Sequence, residues 1–506
     1  MRDIATIAAA IGIVVLLFPR WRGKEFEWAR GAALLVTLLA WAGIAASLLP
    51  ETSRDSLADR ATSPVGAVAM LVGVTLALVV LWLLAKAVIA WPWVWFVALA
   101  IALPIRLPIA IGGESAKLLI PLYIVIGVGV AAVVLMRFRG MELILHSPAR
   151  WVDPLVGALI GFIALSALWS ADPEEGAIKL VFFYVPFAVL YLLVIALWKH
   201  ASALRILATT TIVISVPIAA LAIWQYALRG VFWNESLIQA NVYSRFYRVN
   251  SIFFDPNILG RFLVVAVVAA LALAWVAKDR RTILLLLGVN AILAAGLFVT
   301  FSRSSALMLM IAMAMLAWRA FGAKRTALVG GMLIALFALV SFGTSEQIRR
   351  AATSQDRLEK VSEGRFDLVQ GGIEIWRDNP VAGAGLGSFA DLYQESLSAR
   401  EQARTRVVIS HNAPVTVLAE GGLIGFGLLI ALIIAVAIAL IRRTRDGTAG
   451  AWFEWAMFAI LVGTLVHTLL YSALFEDPYV WVVLAAALTT SALRLHLIPD
   501  DSQAPV

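Results

Sequence analysis

Apolar runs of about 20 residues recur along this chain from end to end. Each is long enough to cross a hydrocarbon layer roughly 30 Å thick. Backbone inside hydrocarbon must satisfy its own hydrogen bonds, so such runs become helices. Fifteen can be marked, at 4–19, 31–50, 64–87, 91–111, 117–136, 154–170, 179–198, 205–228, 257–277, 282–301, 304–318, 326–343, 413–441, 452–473 and 479–495. The strands of a membrane barrel would be nearer 10 residues and alternate in polarity, and the chain shows no such pattern. Composition agrees, with 62% of 506 residues hydrophobic and 14% charged, where soluble domains carry roughly 25% charged residues. The fold class expected is all-α, a polytopic transmembrane bundle of about 14–15 helices.

The loops between these runs alternate in charge. One set is basic: Arg20/Arg22/Lys24/Arg30, Arg137/Arg139/Arg150, Lys199/Arg205, Lys278/Arg280/Arg281, Arg319/Lys324/Arg325 and Arg442/Arg443/Arg445. The other set is acidic or mixed: Glu51/Asp55/Asp59, Asp172/Glu174/Glu175, the 229–256 and 344–412 loops, and Glu476/Asp477. The positive-inside rule places the first set and the C-terminus in the cytoplasm and the second set outside. The net charge of +8 is therefore a topology signal, and no nucleic-acid partner is expected. The first run, Ile4 to Phe18, resembles a signal-peptide core. Its basic residues follow it, however, and no A-x-A site closes it, so a retained first helix is expected. Trp91, Trp93, Trp95, Trp452 and Trp455 read as interfacial belt residues. The absence of cysteine excludes disulfides, thiolate metal sites and cysteine nucleophiles.

Two outer loops are too long to be turns. The first, 229–256, carries Trp233, Tyr243, Phe246, Tyr247, Phe253 and Phe254 with Arg245 and Arg248. The second, 344–412, predicts helices from Thr344 to about Lys360, from Arg365 to Asp378 where "DNP" stops it, and from Ser388 to about Arg404.

Ionisable side chains within the apolar runs are costly, at about 2.5–3.5 kcal/mol each at mid-bilayer. They are Lys86, Arg106, Arg261, Arg303, Glu420 and His467. Lys86 lies at a cytoplasmic end and can snorkel; the others fall in the outer halves of their helices. Of five histidines, His146, His200 and His496 fall on the cytoplasmic side, leaving His411 and His467 for an outer site. A lone loop histidine is often incidental, but His411 directly precedes a membrane helix, and histidine suits proton transfer near neutral pH. Arg303 sits in a very short outer turn, "VTFSRSSAL", where positive charge is not enriched. Such an arginine calls for an anion, and phosphate fits its fork. The run Gly383-x-Gly385-x-Gly387 lies in no strand–turn–helix context, so it reads as a tight turn and not as a nucleotide fingerprint. With no D-x-D and no histidine pair at ligand spacing, neither a metal nor another cofactor is expected.

Four blocks, in order, resemble the bacterial O-antigen ligase and O-antigen polymerase superfamily: "SIFFDPNILG" (251–260), "TFSRSSAL" (300–307), "GRFDLVQGGIEIWRDNPVAGAGLGSF" (364–389) and "HNAPVTVLAEGGLIG" (411–425). The resemblance covers roughly 230–480. It implies transfer of a glycan from undecaprenyl diphosphate to an acceptor hydroxyl outside the inner membrane, without metal. The acceptor is lipid A–core for a ligase or a growing glycan for a polymerase. His411, Arg303 and Arg365 match the family's loop histidine, its "SR" arginine and the arginine opening its "R…W…P..G.G" block, and are the catalytic candidates. Arg248, Asn257, Arg261, Asn412, Arg377, His467 and Asp477 are the candidates for substrate binding, with Glu420, Gly422 and Gly425 as structural support. Glu420 is nine residues beyond His411, about two and a half turns. It is expected to hold Arg303, Arg261 or His467. Ten residues separate His411 from Gly422-Leu-Ile-Gly425, where the ligase form is often described with nine, so ligase and polymerase both stand.

The domain reading that follows has N-terminal helices without a recognised motif at 1–150, a transmembrane core at 151–343, a large periplasmic loop at 344–412, C-terminal helices at 413–495 and a cytoplasmic tail at 496–506. Membrane lipids are the remaining partners. The alternative is a transporter or flippase of a lipid-linked anionic glycan, whose basic outer site would bind phosphate without chemistry. Repeats of the kind transporters show are not evident.

Overall fold

The computed structural model describes residues 2–18, 27–111, 114–141, 147, 149, 151–198, 202–232, 234–243, 246–328, 330–332, 365–398, 402, 410–443, 449–471 and 473–489. Several sequence expectations lie outside these residues: the helix at 344–360, most of the run at 326–343, the tail at 496–506, Trp233, Arg245, and His146, His200 and His496. Arg365 opens a described helix, but its side chain also lies outside.

The fold is an all-α polytopic bundle. In chain order the helices are α1 (Arg2–Leu17), α2 (Glu27–Ser47), α3 (Glu51–Thr62), α4 (Pro64–Ala90), α5 (Pro92–Ala102), α6 (Ile120–Phe138), α7 (Val152–Ser166), α8 (Pro173–Lys179), α9 (Val185–Leu197) and α10 (Ser202–Leu228). They continue with α11 (Glu235–Tyr243), α12 (Pro256–Val276), α13 (Arg280–Phe298), α14 (Arg303–Phe321), α15 (Arg365–Asp378), α16 (Phe389–Ser396), α17 (Ala413–Arg443), α18 (Ala449–Thr468) and α19 (Pro478–Thr489). Among the described residues, 11 helical stretches are long and apolar enough to cross a membrane, with α8 and α9 forming one of them, and α5 and α19 are shorter apolar helices.

Burial sorts these helices into layers. Every residue of α9 and all but Val480 of α19 are buried, and α12 is mostly buried, so these three run through the centre. In α4 only Ala85 and Val88 are buried. It is apolar all round and faces outward, as a helix in contact with lipid does. Helix α1 packs between α2 and α7. At one end of the bundle Asp172, Asp255 and Ser302 cap α8, α12 and α14 by accepting hydrogen bonds from their first-turn amides, each worth about 1 kcal/mol.

Between α8 and α9 the chain makes a π turn, Leu180–Tyr184. A π turn shifts the hydrogen-bond ladder and leaves carbonyls seeking other donors. Trp41 of α2 donates to Val181 O at 2.8 Å, and Tyr123 of α6 donates to Phe182 O at 2.7 Å. The defect thus pins two neighbouring helices to the central one.

Three expectations need correction. The run at 91–111 is not one helix: α5 stops at Ala102, and Leu107–Ile111 (β1) pairs antiparallel with Glu114–Leu118 (β2). Pro104 and Pro108 lack the amide hydrogens a continuing helix needs. The helix expected to reach Arg404 ends at Ser396, where Leu397 turns extended. Trp95 is no belt residue: it is 1% exposed, and its indole donates to Val125 O at 2.9 Å. Trp91 and Trp93 are exposed, 59% and 52%, as a belt requires.

Candidate active site

The N-termini of α12, α14 and α17, the C-terminus of α18 and the segment 469–477 come together at one end of the bundle. Asn257, in the first turn of α12, is the hub. Its Oδ1 accepts from the Arg248 guanidinium at 3.1 Å and from Ser302 Oγ at 2.8 Å. Arg248 Nε also donates to Thr300 O at 3.2 Å. Ser305 Oγ lies 2.8 Å from Ser302 Oγ. The fully buried His467 of α18 places Nε2 3.1 Å from Ser304 Oγ and 3.4 Å from Ser305 Oγ. Gly260 allows this approach: a Cβ there would sit 2.7 Å from Ser305 Cβ.

A second network lies beside it. Arg261 and Asp477 are both buried and form an ion pair at 2.6 Å, and Arg261 also donates to Ala473 O at 2.9 Å. One guanidinium nitrogen of Arg261 is buried without a hydrogen bond, as is Nε of Arg106. Arg106 lies in the electrostatic reach of Asp477, Tyr471 and Arg261. Glu476 is also within reach of Arg261, and Asp255 meets the same Tyr471 that both guanidinium groups face, so the pocket interleaves two guanidinium groups with carboxylates.

Three rings connect these networks to the surface. The His467 ring packs edge-on to Tyr471 at 5.7 Å, and the Tyr471 ring lies 6.3 Å from His411. Tyr471 donates its hydroxyl to Asp255, and burial, with the Asp255 charge, raises its pKa above the usual phenol value. His411 itself is exposed and holds a left-handed backbone, φ 56°. Asn412 fixes it from behind: its amide donates to Leu469 O at 3.1 Å and its Oδ1 caps Val415 N. Arg303, at the first position of α14, is exposed.

The G-x-G-x-G run shapes the floor. Helix α17 breaks at Gly422, φ 58° and ψ −160°. The break frees carbonyls and amides, and the run takes them up as a strand would. Ala384 and Gly385 donate to Ala419 O and Glu420 O, and Leu423 and Ile424 donate to Pro380 O and Val381 O, at 2.9–3.1 Å. Gly383, Gly385 and Gly387 all have positive φ. Trp169 and Ser170, beyond α7, then donate to Gly383 O and Leu386 O. Of the two supporting glycines, Gly422 carries the close approach. A Cβ on Gly425 would meet the Phe162 ring at 3.4 Å and Val417 O at 3.7 Å, both ordinary contacts.

Glu420 corrects a further expectation. It pairs with Lys179 at 3.1 Å, with both side chains largely buried, not with Arg303, Arg261 or His467. Glu476 lies nearby, its carboxyl pushed above the usual range by burial against the opposing pull of Lys179. Removing one partner of a buried pair strands the other charge, at a cost of about 3–5 kcal/mol. We expect Lys179→Met to cost near the lower bound, about 3 kcal/mol, because the pair is not fully dry. Glu420→Gln in the same background should restore part of that loss. Thermal unfolding of the single and double variants measures this, and simply additive losses would refute the pairing.

Of the residues singled out from sequence, Arg248, Asn257, Arg261, His411, Asn412, His467 and Asp477 gather here. Arg377 is exposed on α15 and has no contact that ties it to this cluster among the described residues. Tyr471, Lys179 and the serines of "SRSS" were missed as site residues. A polar side chain every residue or two in an apolar segment was the available signal for the serines; Tyr471 had none.

Residues 288–430 match the family model described as O-Antigen ligase. No curated protein matches the chain.

Proposed function

We propose that the chain, whose residues 288–430 match the family model described as O-Antigen ligase, is a membrane glycosyltransferase of the O-antigen ligase or polymerase type. The donor in this reading is a glycan on undecaprenyl diphosphate. The acceptor is a hydroxyl on lipid A–core or on a growing glycan, and the site faces the periplasm of an inner-membrane protein.

The observation that carries the reading is an exposed imidazole, His411, beside a buried pocket that holds the guanidinium groups of Arg261 and Arg106. The acceptor oxygen attacks the anomeric carbon, the carbon–oxygen bond to the diphosphate breaks, and the hydroxyl proton passes to His411. Charge develops on the departing diphosphate, and stabilising it there, not in the ground state, accelerates the step. Arg303 and Arg365 are assigned to that charge, with Arg377 toward the glycan. Arg248, bound to Asn257, and Arg261, bound to Asp477, hold the floor beneath. This chemistry draws on the chain's own side chains and calls for no metal.

An apolar cavity of about 130 Å³ would take a short length of the lipid tail. It lies between α7, α17, α18 and α19, with Ile160, Leu432, Leu461 and Leu484 among its walls, and its lining reaches Leu474 and Phe475 close to Asp477. Arg303→Ala is expected to lower transfer from a lipid-linked donor by about 100-fold or more, the scale of losing one transition-state donor, without lowering the melting temperature. Wild-type turnover in that variant would remove Arg303 from the mechanism. The lipopolysaccharide of a deletion strain then separates the two types. Bare core with accumulated lipid-linked polymer marks a ligase, and core with a single repeat unit marks a polymerase.

A further inference from the structure

His411 is asked to take a proton from an exposed position, and a base must be held within about 0.5 Å of its working place to meet one oxygen. Well-aimed bases are oriented by a third group. The segment 469–477 supplies such a group in Tyr471.

The backbone of that segment is fixed from outside. Asn412 donates to Leu469 O at 3.1 Å, Arg261 to Ala473 O at 2.9 Å and Trp481 to Phe475 O at 3.0 Å. Within it, Leu470 N donates to His467 O at 3.0 Å and Ala473 N to Tyr471 O at 2.9 Å. Tyr471 therefore stands about one turn beyond His467, on a path tied to α12, α19 and the start of α17.

The side chain is held as well. The His467 ring packs edge-on to it at 5.7 Å, with 67° between the planes, and the hydroxyl bonds Asp255. Asp255 is itself anchored, because its carboxylate caps α12 by accepting from Asn257 N at 2.6 Å. Against this braced ring lies the His411 ring, at 6.3 Å and 44°. On the other side, His467 Nε2 lies 3.1 Å from Ser304 Oγ, on the residue next to Arg303. A line of side-chain contacts thus runs from the start of α14 through His467 and Tyr471 to His411. It joins the two ends of the proposed chemistry, the base and the guanidinium assigned to the diphosphate.

We propose that Tyr471 is a positioning residue, a strut that sets where the His411 imidazole stands relative to Arg303. The inference rests on the reading of His411 as the base. The ring is the bearing surface, and the hydroxyl on Asp255 keeps that ring from turning. The strut acts on the rate of proton transfer and leaves donor affinity alone.

The test is turnover of a lipid-linked donor by the purified full chain. Tyr471→Leu should lower kcat by about 10–100-fold, the scale of displacing a reacting group by about 1 Å, with KM for the donor changed less than about twofold. Tyr471→Phe keeps the ring and loses only its tether, so it should return to within about fivefold of wild type. In the His411→Asn background, Tyr471→Leu should cost less than about twofold more, because the group it positions is gone. A full multiplicative loss in that background, or a raised KM at unchanged kcat, would overturn the strut. The contact is also read without turnover. With ring-labelled histidine, the His411 signal, identified by its loss in His411→Asn, should shift in Tyr471→Leu and much less in Tyr471→Phe. An unmoved signal overturns the strut alone. Wild-type turnover in His411→Asn overturns the assignment of the base, and the strut's role with it.

Discussion

Replacing His411 with asparagine is expected to slow glycan transfer by about 10²–10⁴-fold, the usual scale for removing a general base, while the protein folds as before. Asparagine is the informative choice because His411 has φ 56°. A left-handed backbone costs most residues about 1–2 kcal/mol, and asparagine is among the few that visit it readily. Alanine at this position would mix backbone strain with the loss of the imidazole. The ring is exposed and only its edge of the site is altered, so the melting temperature should hold within experimental scatter. Turnover of a lipid-linked donor by the purified variant is the measurement. A rate within threefold of wild type, roughly 0.7 kcal/mol of barrier, would rule out His411 as the base.

The second large effect is structural. Gly383→Ala is expected to abolish transfer and to lower the melting temperature more than Lys179→Met does. A Cβ on Gly383 would lie 2.5 Å from Gly421 N, and one on Gly422 would lie 2.5 Å from Gly383 N. Both obstacles are main chain, which no rotamer change relieves. Gly383 also has φ 73°, adding strain for any residue with a side chain. Pushing the two segments apart would break the four backbone hydrogen bonds that seal the break in α17, and unpaired buried amides and carbonyls cost about 1–3 kcal/mol each. Gly425→Ala is the contrasting control, since its nearest neighbours, the Phe162 ring and Val417 O, lie at ordinary distances, and it should be tolerated. If Gly383→Ala and Gly425→Ala melt alike, the docking of the two segments is not what holds this end together.

The membrane helices were legible in the sequence because hydrocarbon imposes one rule everywhere, a long apolar run for each crossing. That rule located α12 within one residue and α14 within three. It failed at 91–111, where apolarity continued through Pro104 and Pro108 but the helix could not. Hydropathy does not register a missing amide. The site was legible in part for a related reason. Charges that hydrocarbon penalises stand out, so Arg261, His467 and Glu420 were visible. Their partners were not, because pairing across 241 residues, as between Lys179 and Glu420, leaves no local pattern. The glycine run showed that a tight backbone path was needed, but not that the path would complete a broken helix.

The break at Gly422 has a mechanical consequence. Helix α17 is continuous in sequence but behaves as two levers sharing a pivot. The outer lever, Ala413–Gly421, is bolted to the 380–388 segment and through it to Trp169 and Ser170. The inner lever is bolted to the same segment at its root, where Leu423 and Ile424 donate to Pro380 O and Val381 O. The pivot is thus clamped from both sides, and the imidazole at the tip of the outer lever is tied by backbone bonds to the far end of α7.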